Sequence, residues 1–299
     1  MSGPDANPSN ISFKAILLLL AAVLCFDVMS IFVRILAASY TPQELSAYRN
    51  VLGMLPSLAL LIWTGELRFR AGALKIEQWQ LALWRGVVVA FAQVFFYSAL
   101  AQLELATVAT LGQTNAFFVV ILSVLYLGEK VGVWRIAALF IGFAGVVWIL
   151  RPGSDAFTMA ALLPVGAAAC YAFAMVSVRK FGPDTSNALI YLYSSIGSAV
   201  GAIVLAFFTA EFSPIHSLFD GLLILVMSII GGTGVLLMMI AFRMASPSVL
   251  APFWYIGILT AGVFGWLIFD EAPLDTLFPG ILLIVGAGAL IIWRERKRT

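Results

Sequence analysis

The stretch ALAQLELATVATLGQTNAFFVVILSVLYLGE, residues 99–129, has a diverged second copy, AFRMASPSVLAPFWYIGILTAGVFGWLIFDE, at residues 241–271. In both copies an alanine-rich helix end leads through a short turn into a long apolar helix that closes on a glutamate. At an offset of 142 residues the identical positions include Ala99 with Ala241, Ala109 with Ala251, and Glu129 with Glu271. The chain is therefore internally duplicated.

The duplication extends outward from these two stretches. At an offset of 145, further identities are Ala22 with Ala167, Cys25 with Cys170, Val33 with Val178, and Arg34 with Arg179. The change of offset amounts to one loop-sized slip. We therefore predict two similar halves, 13–150 and 158–293, joined by a linker at 151–157, with tails at 1–12 and 294–299.

Composition places the chain in a membrane. Hydrophobic residues make up 62% of the 299 residues, charged residues only 11%, and the mean hydropathy is +1.04. A soluble domain carries about 25% charged residues, so a soluble fold of this composition would lack a polar surface. The net charge of +2 is too small to suggest a nucleic-acid partner, and no basic patch is interleaved with aromatic residues, so we predict none.

Ten apolar segments are candidate spans, which need about 20 residues each, and the fifth is shorter than that. They lie at 13–37, 44–63, 79–101, 106–127, 136–150, 158–178, 188–209, 220–242, 249–269 and 275–293. The first could be mistaken for a signal peptide, but it exceeds a typical apolar core of 7–15 residues and contains Asp27. We therefore retain it as a span.

The cations orient these spans, because Lys and Arg collect in cytoplasmic loops. With the N-terminus inside, 14 of the 17 cations fall in inside segments and one, Arg151, falls in an outside loop. Five spans per half then make the second half an inverted copy of the first. The predicted fold is an all-α, multi-pass inner-membrane protein with two inverted five-helix repeats around a central cavity and both termini cytoplasmic.

The paired stretches, with their closing glutamates and the glycine-bearing helices after them, resemble the EamA module of the drug/metabolite transporter superfamily. Residues 47–50, AYRN, resemble the arginine-bearing start of that family's second helix. The resemblance covers nearly the whole chain. It implies ten helices around a cavity, with alternating access by rocking of helices from both halves.

The same resemblance implies a secondary transporter for small organic metabolites, with amino acids or related amines first and export favoured. The YddG-type amino-acid exporters are the nearest comparison. Uptake of a vitamin or nucleoside-like solute, such as riboflavin or S-adenosylmethionine, is the alternative. The sequence lacks a Walker-type glycine loop and the hydrolase motifs G-x-S-x-G and H-E-x-x-H. We therefore predict no enzymatic activity, no catalytic residue and no cofactor. A membrane enzyme and a non-transporting subunit remain the other classes.

Asp27 is the most informative single residue, because an ionised carboxylate inside a span is costly and usually functional. Its repeat equivalent is Ala172, so the repeated packing does not require an acid there. Arg34 lies two turns further along the same helical face, and Arg49 enters the second span from the same side. We predict that Asp27 and Arg49 contact substrate, with Arg34 as a charge partner and Asp27 as a candidate for proton coupling. A structural ion pair is the alternative.

Polar and aromatic residues elsewhere complete the predicted cavity. Gln93 and Tyr97 share a face of the third span, and Gln113 and Asn115 interrupt the fourth span near its middle. For these residues, helix packing is the competing interpretation. Further candidates are aromatic side chains that could stack on a solute or lie at the interface: Tyr171, Trp254 and Tyr255.

Three other features are assigned no binding role. Glu129 and Glu271 lie at turns between helices, where a carboxylate suits the positive start of the helix that follows. Cys25, Cys170 and the single histidine, His216, are too isolated for a metal site. The predicted partners are therefore a small-molecule substrate and the lipid bilayer.

Overall fold

The computed structural model describes residues 8–63, 76–128, 133–150, 158–181, 187–209, 213–244, 253, 256–271 and 277–296. Within these ranges the chain is helical and contains no strand. The helices are α1 (Pro8–Leu36), α2 (Pro42–Leu52), α3 (Leu55–Trp63), α4 (Trp79–Leu100), α5 (Leu105–Gly112), α6 (Asn115–Leu127), α7 (Val133–Leu150), α8 (Leu162–Ser177), α9 (Asn187–Thr209), α10 (Leu218–Met244), α11 (Ile256–Phe269) and α12 (Gly280–Arg296). Short 3₁₀ turns, Met159–Ala161 and Val178–Lys180, flank α8.

Six stretches of the described chain are long and apolar enough to cross a membrane: Phe13–Leu36, Trp79–Leu100, Leu105–Tyr126, Met159–Ser177, Leu189–Thr209 and Leu218–Met238. Two shorter apolar helices lie at Phe140–Ile149 and Ile256–Phe269. The protein is thus an all-α, multi-pass membrane protein. The count of ten spans, the inversion of the halves and the side of each terminus remain predictions.

Two predicted spans are each divided into two helices. The segment at 44–63 forms α2 and α3, with turn residues at Gly53 and Met54. The segment at 106–127 forms α5 and α6, with turn residues at Gln113 and Thr114, where the sequence places its polar interruption. Backbone groups freed by such breaks must be satisfied by protein or by water in a cavity. At both breaks, backbone N–H groups of the turn residues bond to carbonyls of the preceding helix.

The start of α2 is fixed by its own sequence. Thr41 caps the helix through its side chain, while Glu44 Oε2 accepts a hydrogen bond from the Thr41 backbone N–H at 2.7 Å. This reciprocal arrangement is a capping box, which satisfies two of the free N–H groups at a helix start. Glu44 Oε1 also accepts a bond of 2.5 Å from the Ser213 backbone N–H. One carboxylate thus joins the α2 start to the segment before α10.

Helices from the two halves pack against each other throughout the described chain. α1 lies between α10, α11 and α4, whereas α4 lies against α8 and α9. α2 contacts α9, α10 and α4, and α7 contacts α12. Gly86 permits the close approach of α4 and α9, since a Cβ built there would lie 2.0 Å from the Ser194 backbone oxygen. The halves therefore form one bundle whose interior is shared.

Candidate functional site

Asp27 lies inside the membrane-spanning part of α1 and faces α11. Its Oδ2 accepts a hydrogen bond from the Thr260 hydroxyl. One turn earlier, Val23 lies against Gly257 of α11, so the α11-facing side of α1 is well defined. Asp27 is half-buried. A carboxylate at this position has one neutral donor from the opposite half and remains available to a cation or a proton.

Arg34 also faces α11, as its spacing from Asp27 predicts. Its Nη1 donates to Glu271 Oε2 at 2.8 Å, and its Nη2 forms an ion pair with the other carboxylate oxygen. The guanidinium lies 4.5 Å from the centre of the Phe269 ring. Among the described contacts, Arg34 therefore forms its ion pair with Glu271, whereas Asp27 accepts a hydrogen bond from a neutral hydroxyl. Arg34 and Asp27 occupy the same face without sharing a partner.

Glu271 has a larger role than the sequence suggested. Besides Arg34, its Oε2 accepts the backbone N–H of Leu105, the first residue of α5, at 3.0 Å. The helix start that it contacts is thus that of α5, whereas the sequence pointed to the helix that follows Glu271. One carboxylate joins the end of α1, the start of α5 and the segment after α11. We call this group of Arg34, Glu271 and Leu105 the Glu271 junction.

Arg49 is buried within α2, with 9% of its surface exposed. Its Nη1 donates to the Asn50 side-chain oxygen at 3.2 Å, and its Nη2 donates to the Gly231 carbonyl of α10 at 3.4 Å. Its Nε is buried without any hydrogen-bond partner among the described residues. Both partners are neutral, so the positive charge of Arg49 is not compensated by these contacts.

Gln93 is bound to α2 rather than directed freely into a cavity. It is 3% exposed, and its Oε1 accepts bonds from Asn50 Nδ2 at 2.5 Å and from Ser46 Oγ at 3.1 Å. Asn50 Nδ2 also donates to Ser46 Oγ at 3.3 Å. Ser46 and Asn50 were not predicted from the sequence, although their i, i+4 spacing places them on one face of α2. The network orients Asn50, which in turn holds Arg49.

Two tyrosines lie near this network. Tyr97 of α4 is 1% exposed, and its hydroxyl lies 3.9 Å from the sulfur of Met29 on α1. Tyr171 of α8 is half-buried. Of the predicted residues, Arg49 and Gln93 are therefore joined through Asn50, from α2 and α4, while Tyr97 contacts α1.

The residues at the break between α5 and α6 are placed differently. Asn115 Nδ2 donates to the Ala168 carbonyl of α8 at 3.1 Å, which joins α6 to α8. Gln113 is half-buried, and its backbone N–H bonds to the Thr110 carbonyl at 3.1 Å. Trp254 and Tyr255 lie outside the described residues. Asn115 thus has the contact expected of helix packing, which the sequence left open beside cavity lining.

Arg85 is a second arginine inside an apolar helix. In the predicted topology it is one of the 14 cations on the inside. It lies in α4, where its Nε donates to the Ala174 carbonyl at 2.6 Å and its Nη1 donates to Ser194 Oγ at 2.8 Å. It joins α4 to α8 and α9. In contrast to Arg49, its Nε is paired. Within the described chain no group of three His, Cys, Asp or Glu side chains could hold a metal ion.

The sequence of this chain is similar to those of proteins named as transporters. Residues 13–151 match the EamA-like transporter family. Over 84% of its length the chain is 28% identical to a riboflavin transporter of Brucella anthropi, covering 88% of that protein. It is 27% identical over 93% of its length to the pseudopaline exporter CntI of Pseudomonas aeruginosa, covering 95% of it. It is 25% identical over 91% to an S-adenosylmethionine uptake transporter of Rickettsia bellii, covering 89% of it.

A solved crystal structure has the same fold. It superposes on 97% of this chain and 98% of its own with a TM-score of 0.62, at 19% sequence identity. At that identity the likeness concerns the fold alone. The curated relatives and the solved structure each correspond to nearly the full length of the chain, so both halves belong to the shared architecture.

Proposed function

Residues 13–151 of this chain belong to the EamA-like transporter family, and from this premise we propose that the protein is a secondary transporter for amino acids or related amines. It moves them across the inner membrane by alternating access, with export as the favoured direction. The three relatives described above are named as transporters of small molecules, which supports the general activity. The substrate class and direction are our proposal.

The observation that carries the proposal is a pair of oppositely charged side chains within the helix bundle. Asp27 on α1 and Arg49 on α2 each have only neutral hydrogen-bond partners among the described contacts. Ionisable residues inside a bundle mark substrate or ion pathways. A zwitterionic amino acid carries one charge complementary to each of these groups.

The contacts between helices support an inverted repeat. In the repeat, α1 corresponds to α8 and α4 corresponds to α10, so the packing of α1 on α10 recurs as the packing of α8 on α4. In the same way α11 corresponds to α6, and the packing of α1 on α11 recurs as the packing of α8 on α6. In the proposed topology the end of α1, the start of α5 and the end of α11 all lie at the outer face. The Glu271 junction, which joins these three ends, supports that assignment.

Flux into proteoliposomes tests the function. The purified protein is reconstituted and offered radiolabelled amino acids, amines and nucleosides, together with riboflavin and S-adenosylmethionine. We expect saturable flux of at least one amino acid or amine. Flux restricted to riboflavin or S-adenosylmethionine would favour the alternative of an uptake carrier. Two relatives are named as transporters of these solutes. A folded protein that moves none of these solutes would contradict the proposal.

A further inference from the structure

We infer that Arg49 binds the carboxylate of the transported solute, so that the substrate must carry a carboxylate and an amine without one is excluded. The inference rests on the proposed function, because it assigns a substrate class to that same site. It concerns the group on the solute that is recognised. Three features of the structure lead to it.

The first feature is an uncompensated buried charge. The described hydrogen bonds of Arg49 end on an amide oxygen and a backbone carbonyl, and no described carboxylate lies within ion-pair distance of it. Removing a charge from water is unfavourable and is normally offset by a counter-charge. Glu271 and Glu44 cannot supply it, since they are bonded at the Glu271 junction and at the α2 start. An anion from outside the protein would satisfy Arg49.

The second feature is the edge of the guanidinium that is left unpaired. Arginine has five N–H donors, and the described bonds involve only Nη1 and Nη2. The Nε hydrogen is buried without an acceptor, and Nε with an adjacent Nη forms the fork that binds a carboxylate through two parallel hydrogen bonds. The guanidinium is therefore held through Nη1 and Nη2, while the Nε side of its carboxylate-binding fork lacks an acceptor among the described residues.

The third feature is the surroundings of that edge. Gly231 has no side chain there, and a Cβ built on it would lie 3.3 Å from Arg49 Nε and 2.5 Å from the sulfur of Met29. The absence of a side chain at position 231 therefore lets the α10 backbone pack directly against the Nε edge of Arg49. A carboxylate at this edge would lie between α2 and α10, one helix from each half.

A purely structural role for Arg49, joining α2 to α10, is the competing explanation. Matched triads of solutes separate the two: an L-amino acid, its carboxamide, and the amine that remains after decarboxylation. The carboxamide keeps the size and the ammonium group but loses the negative charge. Flux into proteoliposomes is measured for each member, and ligand-induced thermal stabilisation is measured in detergent.

We expect wild-type protein to prefer the acid over its carboxamide by about 10- to 100-fold, the range for a hydrogen bond to a charged group. In Arg49→Gln this preference should fall to within about threefold. Arg49→Lys should be intermediate, since it keeps the charge but loses the planar fork. If Arg49→Gln does not fold, Arg49→Lys and the wild-type triads carry the test.

Arg85→Gln is the matched control, because it also removes an arginine from an apolar helix. Its stability should fall while its acid-to-carboxamide ratio stays as in the wild type. Equal handling of acid, carboxamide and amine by the wild type would overturn the inference and leave the proposed function intact. So would a preference that persists in Arg49→Gln. Absence of flux for every solute by a folded protein would overturn both.

Discussion

At the scale of single residues, Asp27 and Arg49 differ in how the fold holds them. Asp27 has a hydroxyl partner on α11 and is half-buried, whereas Arg49 is enclosed and tied to α10. We therefore expect that the charge state of Asp27 can change during transport, whereas Arg49 keeps its position in the bundle.

We predict that Asp27→Asn lowers flux by about tenfold or more, because the ammonium of the solute loses a charge-assisted hydrogen bond. The amide oxygen can still accept from Thr260, so folding should be preserved. Thr260→Val is the control that removes the hydroxyl and keeps the carboxylate, and it should retain most of the flux. Flux is measured across a pH series, and a wild-type rate and pH profile in Asp27→Asn would reduce this residue to a structural role.

At the scale of helices, two contacts differ in their physical basis. Charged groups join helix ends at the Glu271 junction, whereas at Gly86 the absence of a side chain lets α4 and α9 approach closely. At the Glu271 junction, Arg34 and Glu271 are 22% and 11% exposed, so water screens their ion pair only in part.

Glu271→Gln should lower the free energy of unfolding by roughly 1–3 kcal/mol, the cost of losing a hydrogen bond to a charged group. Arg34→Gln should have a similar effect. If the pair acts as a unit, the double variant is no worse than the more damaging single one. Thermal denaturation in detergent measures all three, and simple addition of the two single effects would show that the residues stabilise the protein independently.

Gly86→Ala should prevent α4 and α9 from packing, because the new Cβ would overlap the Ser194 backbone oxygen and a backbone cannot move aside as a flexible side chain can. Gly112→Ala is the matched control, since a Cβ there meets nothing within 4 Å. We expect Gly86→Ala to give little folded protein by size-exclusion chromatography and Gly112→Ala to behave as wild type. Similar yields from both variants would show that α4 can shift away from α9.

Parts of this architecture could be predicted from the sequence, and others depend on how the helices are rotated and paired. Asp27 could be found because one carboxylate in an apolar run is conspicuous, and the polar run at 113–115 indicated where a span would break. The partner of Arg34 could not be found, because Glu271 is 237 residues away and a pattern along one helix does not name its neighbour. Gln93 was predicted to line a cavity because the sequence shows which helical face carries it but not that its hydrogen-bond partners lie on α2.

At the scale of the whole molecule, the proposed inversion of the halves has a direct test. Cysteines placed at Ser154 and Ser186 in a variant lacking Cys25 and Cys170, the two native cysteines, should be labelled by an impermeant reagent from opposite sides. The linker cysteine should react from outside and the other from inside. Labelling from a single side would contradict an odd number of spans between the two positions.

In the proposed alternating-access cycle, the Glu271 junction would limit the rate. Because one carboxylate holds three helix ends, parting them would break its contacts to both Nη atoms of Arg34 and to the Leu105 N–H, and the activation barrier would include all three. A stronger junction would make the resting protein more durable and each cycle slower, whereas a weaker one would shorten its lifetime and quicken the cycle. Heat tolerance and turnover would therefore change in opposite directions with the identity of residue 271.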